Sequence, residues 1–382
     1  MKILMFSRDP GGANVIFPLI EPLRMRGHRV IIYAKDVSFQ RLESLGVNPV
    51  NIMDEINDIS IDELVGLLSA QKPDIIVTGT SGHDFTERFL WKAAGIAGIP
   101  SFSILDHWIN YGIRFSKYTM SELDIYQKDR AFDYIPDRIF VMDEYAGDRM
   151  AEEGICRDKI VVAGHPYLEY LEKKAKLISE YDVSGYRKRY GVKGDEYLIL
   201  FASEPISIVY DPPGRAGEYW GFHEKSIFTE LVGSLGRLGS EAKRKVKIVI
   251  KLHPKESAEA YEDLISGELN NDIPVMVDKD SDSLISMRSS NLVCGMMSMF
   301  LIEAAYLGIP ALSIQIGLKR RNGFVLDELN VMKSVLDRYT LDSRLKDAVN
   351  GSYYINRYWI KERNSVEKII GFMEGCHGKA CG

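Results

Sequence analysis

Residues 2–33 read KILMFSRDPGGANVIFPLIEPLRMRGHRVIIY, and this stretch sets the expectation for the whole chain. Residues 2–7 form an apolar run that ends in a small polar residue, the pattern of a parallel strand buried on both faces. Residues 8–14 are a glycine turn. Residues 15–26 repeat apolar side chains at helical spacing, with Pro18 tolerable near the first turn and Pro22 expected to kink or shorten the helix. Gly27 ends that helix, and residues 28–33 are a second strand. Strand, crossover helix and strand make a β-α-β unit.

The alternation continues outward from this unit. Further strands are expected at 74–79, 100–105, 138–142 and 159–164, with helices at 39–45, 61–70, 84–97 and 144–153. The charged stretch 167–190 is helical in pattern, has few strand formers and reads as a linker region. The pattern then restarts, with strands at 196–201, 246–252, 274–277, 292–295 and 310–314. Helices are expected at 226–238, 256–266, 282–288, 298–307, 326–336 and 360–373. Strands alternating with helices imply parallel sheets covered on both faces. The expected organisation is a first α/β domain over 1–168, a linker over 169–195 and a second α/β domain over 196–355. A final segment, 356–382, carries a helix that returns to the first domain. Two such halves facing a cleft are a common ligand-binding layout, with ligands beyond the carboxyl ends of the strands.

Composition narrows the class. At 382 residues the chain is long enough for two domains, and 46% hydrophobic with 27% charged residues excludes a disordered or fibrous protein. Lys and Arg number 48 against 54 Asp and Glu, a formal charge of −6, which argues against a nucleic-acid binder. Basic clusters at 187–189, 243–247 and 319–321 read as solvated faces. The third follows Ser298 closely enough to keep phosphate, or peripheral contact with an anionic membrane surface, in view. Cys156 and Cys294 are isolated. Cys376 and Cys381 bracket a terminal Cys-His-Gly-Lys-Ala-Cys run that reads as a frayed end rather than a metal site. This usage points to a reducing compartment. The apolar start is too short for a signal peptide, and Glu303 and Pro310 interrupt the most apolar region. A cytoplasmic protein is expected, the inner face of the membrane being the other seat, with no metal and no cofactor.

The residues that could carry chemistry follow strands. Arg8, Asp9, Gly11 and Gly12 follow the first; the glycines allow a ligand close to the backbone, and the next helix offers free N–H groups to an anion. The plain alternative is an ordinary strand-to-helix turn. Asp106 and His107 end another strand, where a general base is expected; the alternative is a loop-capping Asp and a His packed on Trp108. Thr80-Ser-Gly-His-Asp84 also follows a strand, and Asp84 reads as a helix N-cap. His253-Pro254-Lys255 ends a buried strand of the second half, either facing a ligand or as a structural His before a turn proline. Gly164-His165-Pro166 reads as a hinge. The most specific element is Gly295-Met-Met297-Ser298, leading into an apolar helix that contains Glu303. Met297 and Ser298 could offer amides and a hydroxyl to a phosphate. Glu303 should have a partner, a sugar hydroxyl or a backbone or Arg group.

The two halves, the segment Asp137-Arg-Ile-Phe-Val-Met-Asp-Glu-Tyr145 with Gly164-His-Pro166, His253-Pro254, and Ser298 followed by Glu303-Ala-Ala-Tyr-Leu-Gly-Ile-Pro310 together resemble the GT-B glycosyltransferase and UDP-N-acetylglucosamine 2-epimerase superfamily. The resemblance covers nearly the whole chain and is strongest over 251–316. It implies two Rossmann-like domains, nucleotide mainly on the second, acceptor on the first, and no metal. One subgroup uses cytidine-activated donors: bacterial sialyltransferases, Kdo transferases and teichoic acid polymerases. Its His-Pro pair and downstream serine, which contact the donor phosphate, are similar to His253-Pro254 and Ser298. Epimerases of the superfamily place carboxylates after two N-terminal strands. Asp106 matches one, whereas Thr78-Gly-Thr80 stands where the other would be. The resemblance therefore implies a transferase that moves a sugar from a CMP- or UDP-linked donor to a glycan or lipid-linked acceptor. In it Asp106, or else Asp9 or His107, is the base. Arg8, Gly11, Gly12, His253, Lys255, Gly295, Met297, Ser298 and Glu303 hold the nucleotide sugar.

Overall fold

Ile3, Leu4, Met5 and Phe6 have no exposed surface. A strand this apolar on both faces can only sit inside a sheet covered by helices. The computed structural model, which describes residues 1–210, 219–265, 273–356 and 359–376, places it at the centre of such a sheet. The chain divides into two units, Met1–Tyr170 with Ile360–Gly382, and Leu171–Trp359.

The sheet of the first unit contains β1 (Lys2–Ser7), β2 (Arg29–Ala34), β3 (Val50–Asn51), β4 (Ile75–Thr78), β5 (Ser101–Ile104), β6 (Arg138–Val141) and β7 (Ile160–Val162). Their order is β3-β2-β1-β4-β5-β6-β7, every pairing parallel. The helices of this unit are α1 (Pro10–Met25), α2 (Asp36–Ser44), α3 (Ile61–Gln71), α4 (Thr86–Ala97), α5 (Leu123–Tyr126) and α6 (Glu144–Glu153), and the division between the units falls within α7 (Pro166–Ala175). α1 continues past Pro22 to Met25, where an early end was one expectation. The reason is packing: Val15, Ile16, Leu19, Ile20 and Leu23 form one fully buried stripe, and its burial outweighs the backbone bonds the prolines cannot make.

The second unit holds α8 (Glu180–Arg189), β8 (Tyr197–Ala202), α9 (Ile206–Tyr210), α10 (Glu224–Leu238), β9 (Val246–Lys251), β10 (Val275–Asp278), α11 (Ser283–Ser289), β11 (Leu292–Gly295), α12 (Met299–Leu307), β12 (Ala311–Ser313), α13 (Val325–Glu328) and α14 (Arg338–Val349). The strand order is β10-β9-β8-β11-β12, again parallel throughout. The first five strands of unit one have this same order. α15 (Ser365–Cys376) belongs to the first unit: Glu374 pairs with Arg26 at 2.9 Å, and Phe372 sets its ring edge against Phe102 and Phe140.

The charged stretch 167–190 is mostly helical, as expected, in α7 and α8, and α8 starts with a capping box between Ser179 and Asp182. Other expectations change. Of the helix expected at 256–266, the described part begins at Ala258 as a 3-10 turn to Tyr261 and continues in helical conformation through Ile265, while Ser266 lies outside the described residues. Glu256 there turns inward to the β8 loop. The helix expected at 326–336 stops at Glu328, because Asp327 accepts from Ser334 N–H and Lys333 and folds the chain back. α14 had no counterpart in the reading of the sequence. Of the Cys376–Cys381 run, residues 377–382 lie outside the described residues.

Candidate active site

In each unit the strand order reverses beside the first strand, between β1 and β4 and between β8 and β11. In open parallel sheets ligands commonly bind at such a point, beyond the carboxyl ends of the strands. Most of the residues singled out in the sequence lie in these loops.

In the first unit the loops after β1, β4 and β5 converge. Gly12 and Gly79 touch backbone to backbone; a Cβ on Gly79 would overlap the Gly12 Cα. Gly11 lies against the Asp106 side chain, and a Cβ there would overlap Asp106 Oδ2. Asp106 Oδ1 accepts from Arg114 Nη1 at 2.6 Å, and Arg114 Nη1 also donates to Thr80 Oγ1 at 2.7 Å. Burial alone would raise the Asp106 pKa. The guanidinium outweighs it and holds the carboxyl below its usual range. Asp106 is therefore ionised at neutral pH.

The surrounding groups fix this carboxylate in place. Arg88 is fully buried on α4 and donates to the carbonyls of Ser81, Arg114, Ser116 and Tyr118, tying the β4 loop to the segment that carries Arg114. His165 stacks on Trp108 at 5.5 Å. Its Nδ1 accepts from Leu168 N–H, so its Nε2–H donates to the Asp106 carbonyl at 3.2 Å. Burial lowers the His165 pKa to about 4. The residue read as a hinge is thus a neutral brace for the Asp106 loop. His107 is also held neutral by burial, at about 4, and its Nδ1 has no hydrogen-bond partner.

Arg8 and Asp9 pair with each other at 2.7 Å, and Arg8 Nε also reaches Asp36 at 3.0 Å. Asp84 forms an ion pair with Lys35 at 2.8 Å and accepts from Thr86 N–H at the start of α4; the N-cap position itself falls to Phe85, one residue after the Asp84 expected there. Glu87, unnoticed in the sequence, is buried on α4 beneath the β1 loop and accepts the Arg8 N–H at 3.0 Å. Burial, reinforced by Asp9 and Asp84, pushes its pKa up to about 8, so it is largely protonated at pH 7.

In the second unit the loop after β8 is the hub. Glu204 Oε1 accepts three consecutive backbone N–H groups, from Met296 at 2.9 Å, Met297 at 2.8 Å and Ser298 at 3.0 Å. These include the amides expected to receive a phosphate. Burial raises the Glu204 pKa to about 7 despite the three donors. Ser298 Oγ lies near the same carboxylate but has no well-formed hydrogen bond. Gly295 lets the β11 end approach the Ala202 carbonyl, 3.1 Å from where a Cβ would stand. Glu303 sits one turn into α12, half-buried.

Ser203, next to Glu204, donates to Glu256 Oε1 at 2.7 Å, and Glu256 Oε2 accepts the His253 N–H at 2.9 Å. The β8 and β9 loops are thereby joined. His253 Nδ1 accepts from Lys255 N–H at 3.2 Å, which leaves Nε2 as the protonated nitrogen of a neutral ring. Burial and the Lys255 charge both lower its pKa. The Lys255 side chain is exposed. Ser203, Glu204 and Glu256 were missed in the sequence, although Ser203-Glu204-Pro205 closes a strand as His253-Pro254 does.

No family model matches the sequence, and no curated protein matches it. Solved structures do. The chain is similar to the UDP-GlcNAc 2-epimerase of Methanocaldococcus jannaschii, with 15% identity and a TM-score of 0.69 over 98% of this chain and 100% of that one. The UDP-GlcNAc 2-epimerase of Neisseria meningitidis, solved with UDP-GlcNAc, gives 14% identity and 0.66 over 98% and 100%. A glycosyltransferase of Rickettsia africae gives 13% identity and 0.61 over 99% and 98%. At these identities the likeness is one of fold. The protein has the GT-B fold, two Rossmann-like domains, the architecture it shares with those epimerase and glycosyltransferase structures.

Proposed function

We propose that the protein is a nucleotide-sugar-dependent glycosyltransferase acting in polysaccharide synthesis. The observation that carries this reading is the set of three backbone amides at the start of α12, converging on one oxyanion. Such a set would equally take an oxygen of a nucleotide phosphate. The His253 Nε2–H and the Ser298 hydroxyl would join it as charge builds on the leaving phosphate. Lys255 and Glu303 would hold the donor, Glu303 through a sugar hydroxyl. In the other unit Arg8, Gly11 and Gly12 would border the reacting sugar, and Asp106 would accept the proton of the acceptor hydroxyl. The acceptor oxygen bonds to the anomeric carbon, the bond from that carbon to the phosphate oxygen breaks, and its electron pair leaves on the nucleotide. The proposed donor is CMP- or UDP-linked and the acceptor a glycan or lipid-linked glycan.

A second reading, a nucleotide-sugar epimerase or hydrolase, is favoured by the likeness to the two epimerase structures. Thr78-Gly-Thr80 beside Asp106, in place of a second carboxylate, weighs against it. Labelled UDP- and CMP-sugars separate the readings. Transfer requires an added acceptor, whereas epimerisation or hydrolysis proceeds without one. An intact donor in both arms would leave a nucleotide-sugar-binding protein and overturn the enzyme reading.

A further inference from the structure

The three-amide seat at the start of α12 is already filled, by a side chain of the protein itself. Glu204 comes from the loop after β8, and its Oε1 takes all three N–H groups between 2.8 and 3.0 Å. A single oxygen with three convergent donors has the arrangement of a bound anion, unlike an ordinary cap, where a side chain meets one or two amides. Resting on the reading that this seat takes phosphate, we infer that Glu204 is an internal stand-in for the ligand's phosphate. Its carboxylate satisfies the amides in the free protein and is exchanged for a phosphate oxygen when a nucleotide binds.

Two features make the exchange feasible. Leaving three amides bare in a half-buried site would cost far more than swapping one acceptor for another, so the carboxylate keeps the seat formed between turnovers. The carboxylate is also an imperfect occupant. Its charge is disfavoured by burial enough to bring its pKa to about 7, and the adjacent Ser298 hydroxyl finds no good geometry with it. A phosphate group carries more charge and more oxygens, and can use that hydroxyl as well as the amides. Glu204 then acts as a specificity element. A ligand without phosphate offers nothing to replace the carboxylate, whereas a nucleotide diphosphate does.

The test is calorimetric titration of the full chain with UDP, pyrophosphate and uridine, for wild type, Glu204→Gln and Glu204→Ala. The expected result is at least tenfold tighter UDP and pyrophosphate binding in Glu204→Ala. Glu204→Gln keeps the acceptor oxygen but not the charge and should show a smaller gain, with uridine affinity unchanged in both. Glu204→Ala should at the same time melt lower in the free state, because the amides lose their partner. UDP binding equal to or weaker than wild type in both variants would make Glu204 a structural cap and overturn the inference while leaving the phosphate seat standing. If wild type and both variants bind neither UDP nor pyrophosphate, the seat itself is misread and the inference falls with it.

Discussion

At Asp106 a carboxylate is held ionised by one guanidinium, crowded by one glycine and braced through its backbone by one neutral imidazole. If it is the base of the proposed transfer, Asp106→Asn should lower turnover about 10²- to 10⁴-fold. UDP affinity, which the proposed function assigns to the other unit, should stay within about twofold. Steady-state rates set beside calorimetric titration check this, and unchanged turnover would remove Asp106 from the chemistry. The brace has a pH signature. The unfolded His165 imidazole takes up a proton near pH 6.5, the folded one only near 4. Between those values the unfolded state binds more protons, so acid favours unfolding. Glu87 and Glu204, raised to about 8 and 7, act in the opposite sense as pH falls. Comparing wild type with His165→Gln at each pH isolates the imidazole. Urea midpoints of wild type should fall more steeply than those of the variant from pH 6.5 to 4, and parallel curves would refute the assigned protonation state.

Among the elements, the crossing of the β1 and β4 loops is the least forgiving. Gly12 and Gly79 meet through backbone atoms that no rotamer change can move, so Gly79→Ala should cost about 2 kcal/mol, read from urea unfolding. A loss under about 0.5 kcal/mol would show that the loops part easily. The glycine at 79 was visible in the sequence, but its reason was not, because it depends on a loop 67 positions away. The same division runs through the rest of the molecule. Strands such as β1, β8 and β11 could be read almost to the residue because burial on both faces leaves an unbroken apolar run. Helices fared worse where tertiary contacts decide, as at Pro22 in α1, or at 326–336, where Asp327 turns the chain. In the candidate site, the residues legible in advance were those next to strand ends: Asp106, His253 and Ser298. Glu204 and Glu87 escaped notice because an isolated carboxylate looks solvated until the fold supplies the amides or the apolar wall around it.

At the scale of the whole molecule, each unit buries its own apolar cluster, one around Leu4, Phe6 and Ile76, the other around Ile199, Phe201 and Ile250. Calorimetry should therefore resolve two transitions rather than one. UDP at 100 times its dissociation constant should stabilise the transition of Leu171–Trp359 by about 2.7 kcal/mol. A shift confined to the other transition would misplace the nucleotide. The strand order has a separate consequence for the life of the protein outside its reaction. The sheet edges are short: β3 has two residues, β7 and β12 three each, β10 four. Stubby edges make poor templates for fibril growth. The weak point is β2. Only Tyr33 and Ala34 of its six residues pair with β3, so Arg29–Ile32 have no strand partner on that side. When the chain is warmed or concentrated, that flank is where one molecule would first zip onto another, and Arg29 at its outer end is the charge that discourages it.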